Sequence, residues 1–228
     1  MAISSDEAGE NLTAYRFRWI GYGFLVFALI DTIHILLTLP TGQPTWVLST
    51  IGQFVERVVV PILGFALVFF GEYYGRKNAE KIGLKVLSWL SLVLALVFLL
   101  MIPPVFLQTF NVNNQAQQTV NKEVEQRLTQ LKQLEDQLAR SNPEQLKALA
   151  TQLSSVGVSV DPNNPEAVKT QIQARIKTVR DQLQTQAQGA TAGQTSNLWK
   201  NAIKWSLGAL VAAALFFYLW KSSGWARS

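Results

Sequence analysis

The chain has 228 residues, 49% hydrophobic and only 15% charged, with a formal net charge of +5, no cysteine and a single histidine. Disulfide frameworks, thiolate metal sites and cysteine nucleophiles are excluded, and any histidine chemistry rests on His34 alone. The charges avoid four long windows, and the positives flank apolar segments instead of forming a basic stripe with interleaved aromatics, so no nucleic-acid partner is expected.

Residues 1–18 are polar, and 1–15 are expected to fray. The first apolar run, 19–39, has roughly the twenty residues needed to cross about 30 Å of hydrocarbon. It is too long for a signal-peptide core, and no small-x-small cleavage site follows it. Pro40 and the turn residues 41–44 end it. A second run covers 46–70, with Pro61 inside it, where a kink or a lost hydrogen bond is expected. A third covers 84–102, and Pro103-Pro104 is expected to interrupt it. Residues 105–110 then either lie in the interface or extend the helix beyond a bend.

Residues 111–197 are Gln-rich and contain no aromatic residue, too polar for a large globular core. Two stripes step by three and four: Val120, Val124, Leu128, Leu131, Leu134 and Leu138, then Val168, Ile172, Ile176, Val179 and Leu183. Each is a narrow apolar seam on a polar helix, which serves either an intramolecular hairpin or a partner-binding coiled coil. Ser141-Asn142-Pro143-Glu144 and Asn164-Pro165-Glu166 read as helix starts with proline in the first turn. Turns are expected at 156–163 and at 189–193. The last apolar run, 198–220, carries Trp199, Trp205, Tyr218 and Trp220, with Trp225 beyond it, as an aromatic belt would.

Four domains follow: a polar segment 1–18, a three-helix transmembrane region 19–110, a helical extramembrane domain 111–197, and a fourth transmembrane helix with its tail, 198–228. The fold class is an all-α membrane protein with four transmembrane helices and a helical insert between the third and fourth. The loop 40–45 has no charge, whereas Arg76, Lys77, Lys81 and Lys85 are assigned to the loop between the second and third spans and its edge. Arg16 and Arg18 flank the N-terminus, and Lys221 and Arg227 the C-terminus. Positive residues stay cytoplasmic, so both termini are expected there and 111–197 on the periplasmic or lumenal side. Lys200 and Lys204 argue against this orientation.

Asp31, His34, Glu56 and Arg57 are ionisable groups inside apolar runs, where such groups face protein or water. Asp31 and Arg57 lie at depths that agree within roughly 5 Å at 1.5 Å per residue, so they are expected to pair. The cluster reads either as an ion pair fixing helix register or as a proton or ion pathway. His34 is also a candidate axial ligand for a tetrapyrrole, although no cofactor and no metal are expected from the pattern as a whole. Gly21, Gly23, Gly208 and the spacing of Ala209 with Ala213 mark possible close helix contacts. No acid-base pair stands at a recognisable catalytic spacing, so an enzyme is not expected.

The stretch Gln126-Arg127-Leu128-Thr129-Gln130-Leu131, the start Ser141-Asn142-Pro143-Glu144 and the entry Asn197-Leu198-Trp199-Lys200 sit within three apolar spans, a Gln-rich insert and a final aromatic-flanked span. That arrangement resembles the HpsJ-like membrane proteins of cyanobacteria. The resemblance implies a plasma or thylakoid membrane and a link to secreted polysaccharide production, and it brings no catalytic residues. The expected function is a non-enzymatic membrane accessory or scaffold protein. It would bind membrane lipid and another membrane complex or its own copy, through seam residues such as Val124, Leu128, Ile172 and Ile176. The alternative is a small conducting or transport component built on the intramembrane charges.

Overall fold

A computed structural model describes residues 5–39, 45–70, 78–142, 144–145 and 165–227. The turn at 41–44, Arg76, Lys77, Pro143 and the linker 156–163 lie outside the described residues. The described chain is helical, without a strand: α1 Ser5–Leu37, α2 Trp46–Arg57, α3 Val59–Phe69, α4 Asn78–Leu100, α5 Ile102–Arg140, α6 Pro165–Ser222 and a final 3-10 turn Ser223–Ala226. Four stretches are long and apolar enough to cross a membrane: Leu12–Leu37, Trp46–Phe69, Glu80–Arg140 and Lys169–Ala226.

The helix boundaries follow from proline more than from polarity. Pro61 has no N–H to give the carbonyl of Arg57, so α2 ends there and α3 begins at Val59, with Val58 still close to helical at φ −61° and ψ −21°. The Ile62 amide bonds to the Val58 carbonyl at 3.2 Å, which confines the interruption to about one residue. Pro103 and Pro104 go with a short interruption of their run, and residues 105–110 extend the helix beyond it. The chain breaks only at Met101 and resumes at Ile102, so both prolines fall in the first turn of α5, where an N–H would lack a helical acceptor anyway.

Three expectations are corrected. Helix α1 starts at Ser5, not near residue 16, in a stretch with Ala, Glu and Leu among its residues. No break occurs at 189–193: α6 runs unbroken for 58 residues through Gly189 and Gly193. Each glycine costs about 1 kcal/mol against alanine in a helix interior, too little to stop a helix flanked by alanine and glutamine. Lys81 and Lys85 lie within α4, not in a loop. Helix α6 begins at Pro165, the first-turn proline marked by the sequence.

The chain divides into two compact units, one formed by Met1–Val112 with Leu198–Ser228, the other by Asn113–Asn197. The first unit has an aromatic centre. Phe216 of α6 is fully buried, edge-on to Phe65 of α3 at 5.7 Å and stacked on Phe98 of α4 at 5.8 Å. Around it small residues bring backbones together. A Cβ placed on Gly21 of α1 would lie 2.8 Å from the Val68 nitrogen and 2.9 Å from the Gly64 carbonyl oxygen of α3. Gly23, the other glycine marked in α1, has open space instead. Ala209 and Ala213 are both buried on α6.

In the second unit α5 and α6 form an antiparallel pair. Asn113 accepts a hydrogen bond from Thr195 at 2.6 Å, and Glu135 pairs with Arg180 at 3.1 Å. Leu138 and Ile176 are buried, while Val124, Leu128, Leu131, Ile172, Val179 and Leu183 are half-buried. The side chain of Val168 lies outside those described. Leu134 departs from the expected seam: it is 54% exposed.

Candidate functional site

Arg57 closes α2 at the proline-induced break, and its Nη1 donates to Asp31 Oδ1 at 3.1 Å. The pairing joins α1 to α2, as the matched depths of the two residues require. Both side chains keep nearly half their surface uncovered, 43% and 46%. His34 stands one turn further along α1 and does not join them. Its imidazole is exposed and has no hydrogen-bond partner among the described residues.

Glu56 turns to α6 instead. Its Oε1 accepts from Lys204 Nζ at 2.7 Å and from Trp205 Nε1 at 3.2 Å. Gly52, one turn earlier on the same face of α2, makes room for the indole: a Cβ there would lie 2.5 Å from Trp205 Cζ2. Four residues thus form one joint, of which only Glu56 is marked as a site by the sequence pattern. Lys204 reads there as a topological flank and Trp205 as a belt aromatic. An acid inside an apolar helix needs a cation partner, and a Lys-Trp step on another apolar helix was the available signal.

Two arginines read as flanking charges are also packing groups. Arg18, only 5% exposed, donates from Nε to the Phe70 carbonyl at 3.4 Å and lies 3.8 Å from Glu80. This ties α1 to the end of α3 and the start of α4. Arg227 folds back over the Trp220 ring at 4.6 Å and donates to Ser88 Oγ at 2.7 Å and to the Trp220 carbonyl. Ser88 is itself bonded to Ser223 at 2.7 Å, so the terminal turn is fastened to α4.

Beside the Asp31–Arg57 pair lies a slot of ≈ 620 Å³, within the usual range of ligand cavities of about 300–1,000 Å³. Its walls come from α1, α2, α3, α4 and α6 and are apolar almost throughout, with Asp31 and Arg57 as its charged groups. Among the described residues no group of three or more His, Asp or Glu side chains could hold a metal ion. The arrangement can fix helix register through two separate charge contacts and can receive an apolar guest along its open side; nothing in it places an acid and a base around a common reacting atom.

The family model described as HpsJ-like protein matches residues 12–224. No curated protein and no solved structure gives a significant match to the chain.

Proposed function

The chain belongs to the HpsJ-like family, and from that premise we propose that it is a non-enzymatic integral membrane accessory or scaffold protein. Membrane insertion is supported by the four long apolar helices and by what their outward faces carry. Phe27, Ile30 and Leu37 of α1, Val93 and Leu100 of α4, and Leu210 and Phe217 of α6 all stand exposed. A water-soluble unit rarely leaves so much contiguous apolar surface uncovered, whereas lipid chains cover it at no cost. The positive-inside rule favours both termini in the cytoplasm and 111–197 in the periplasm or lumen, with a plasma or thylakoid membrane as the host.

The observation that carries the accessory role is the self-closed helical pair of the second unit. Its two arms are joined by the Glu135–Arg180 pair and the Asn113–Thr195 hydrogen bond, which supports an intramolecular seam and leaves the polar outer surface to a partner, with Leu134 the large exposed apolar side chain there among the described residues. Partners of this kind include a membrane complex of exopolysaccharide production or of the thylakoid, or a second copy. A conducting role has less support. Asp31 and Arg57 pair with each other, Glu56 pairs with Lys204, and His34 bonds to neither pair, so the charges form separate contacts and not one continuous path. In a mild-detergent pull-down, the full chain should bring a larger complex with it. Deletion of 116–188 should abolish this and leave the protein in the membrane fraction. A full chain that purifies as a solitary monomer would refute the reading.

A further inference from the structure

The slot beside Asp31 and Arg57 has the shape and the polarity of a site for a single-chain amphiphile. Along α1 its lining runs from Tyr22 to Ile35, and along α4 from Leu87 to Phe98, with Met101 just beyond the helix. Each stretch spans about 17–20 Å at 1.5 Å per residue, so the volume of ≈ 620 Å³ is drawn out along the helices instead of being rounded. The charged pair is not central. Asp31 lies one turn from the Ile35 end, and the long remainder is bounded by groups such as Leu25, Leu94 and Phe98.

The pair also has capacity to spare. A guanidinium carries five N–H donors, and Arg57 directs Nη1 to Asp31, with no further partner among the described residues. Asp31 likewise has Oδ2 without a partner there. In bulk water such groups would be hydrated. Beside an apolar slot, an unmet donor or acceptor is costly, and an oxygen-bearing head placed against them removes that cost. We infer that this slot binds a long-chain lipid, with a carboxylate or carbonyl oxygen accepting from Arg57 and its apolar tail lying between α1 and α4. The chemistry is shared by a free fatty acid and a prenylquinone. It lies beyond the accessory role and does not depend on it, since binding resides in the first unit alone.

The test uses the full chain in a maltoside micelle, with diazirine-bearing palmitic acid in one arm and a diazirine-bearing prenylquinone in the other, followed by peptide mass mapping. At least one probe should label the segments around Leu25, Leu94 and Phe98, and excess unlabelled lipid of the same class should compete it away. The arm with the stronger competition identifies the source. Arg57→Met should cut slot labelling at least about tenfold, the weight of one charge-assisted hydrogen bond. Leu94→Trp, which fills the slot and keeps Arg57, should abolish it. Membrane fractionation and gel filtration check that each variant is folded. The proposal is overturned if neither probe labels, or if label falls equally on the outward Phe27, Ile30 and Val93, as general lipid contact would give. It is also overturned if Arg57→Met and Leu94→Trp both label as the parent does.

Discussion

Gly21→Ala tests a close approach of two backbones, those of α1 and α3. The new methyl carbon would sit 2.8 Å from the Val68 nitrogen and 2.9 Å from the Gly64 carbonyl oxygen. Neither is the mobile end of a side chain, so α1 and α3 have to separate. Overpacking of this kind costs about 1–3 kcal/mol, while replacing a helical glycine by alanine returns up to about 1 kcal/mol of propensity. The net loss expected is about 1–2 kcal/mol, or a fall of about 2–8 °C in Tm for a chain of this size. Gly23→Ala is the matched control, because open space surrounds that position on the same helix. It should leave Tm unchanged or raise it slightly. Both are read by thermal unfolding of detergent-purified protein, followed by circular dichroism. If Gly21→Ala melts at or above Gly23→Ala, the two backbones are not in contact there and the packing account is wrong.

At the α2–α6 joint, Lys204→Met should lower Tm by leaving Glu56 without its cation, and Glu56→Gln in the same chain should recover part of the loss. Additive effects in that double-mutant cycle would show that the two groups do not interact. In the second unit, Leu138→Ala should destabilise the helical pair by about 2–5 kcal/mol, because Leu138 is 5% exposed. Leu134→Ala should stay within about 0.5 kcal/mol. Equal losses in urea unfolding would mean that both leucines belong to one seam.

The helical class, four apolar runs and a polar stretch between the third and fourth could all be read from periodicity and length. So could the contact between Asp31 and Arg57, because both sit on neighbouring apolar runs joined by a short connection, and their depths can be counted from that end. Glu56 and Lys204 are 148 residues apart, and no count along the chain relates their heights before the course of α6 is known. Arg18 and Arg227 were legible only as positive flanks, since the rule for loop charges assigns a side and not a partner. Gly189 and Gly193 mislead for a different reason: glycine lowers local propensity, but a long helix held by packing at both ends can carry a small deficit. Leu134 fits the seven-residue rhythm yet misses the seam. A straight helix drifts by about 20° per heptad against that rhythm, so one member of a sequence stripe can rotate out of contact.

The break at Val58 divides one apolar run into two pieces with different allegiances. Above it, α2 is fitted to α6, with Gly52 under Trp205 and Val55 against Gly208. Below it, α3 is fitted to α1 through Gly64 and Gly21. Each piece is keyed to its neighbour by glycine, so neither can slide without losing close packing. The missing amide of Pro61 leaves the Arg57 carbonyl without its helical donor, so the ladder between the two pieces is interrupted beside Val58. Arg57, the last residue of α2, also reaches α1 through Asp31, so the break at Val58 stands where contacts to α1 and to α6 meet, on the wall of the slot and one residue from the guanidinium of its charged pair.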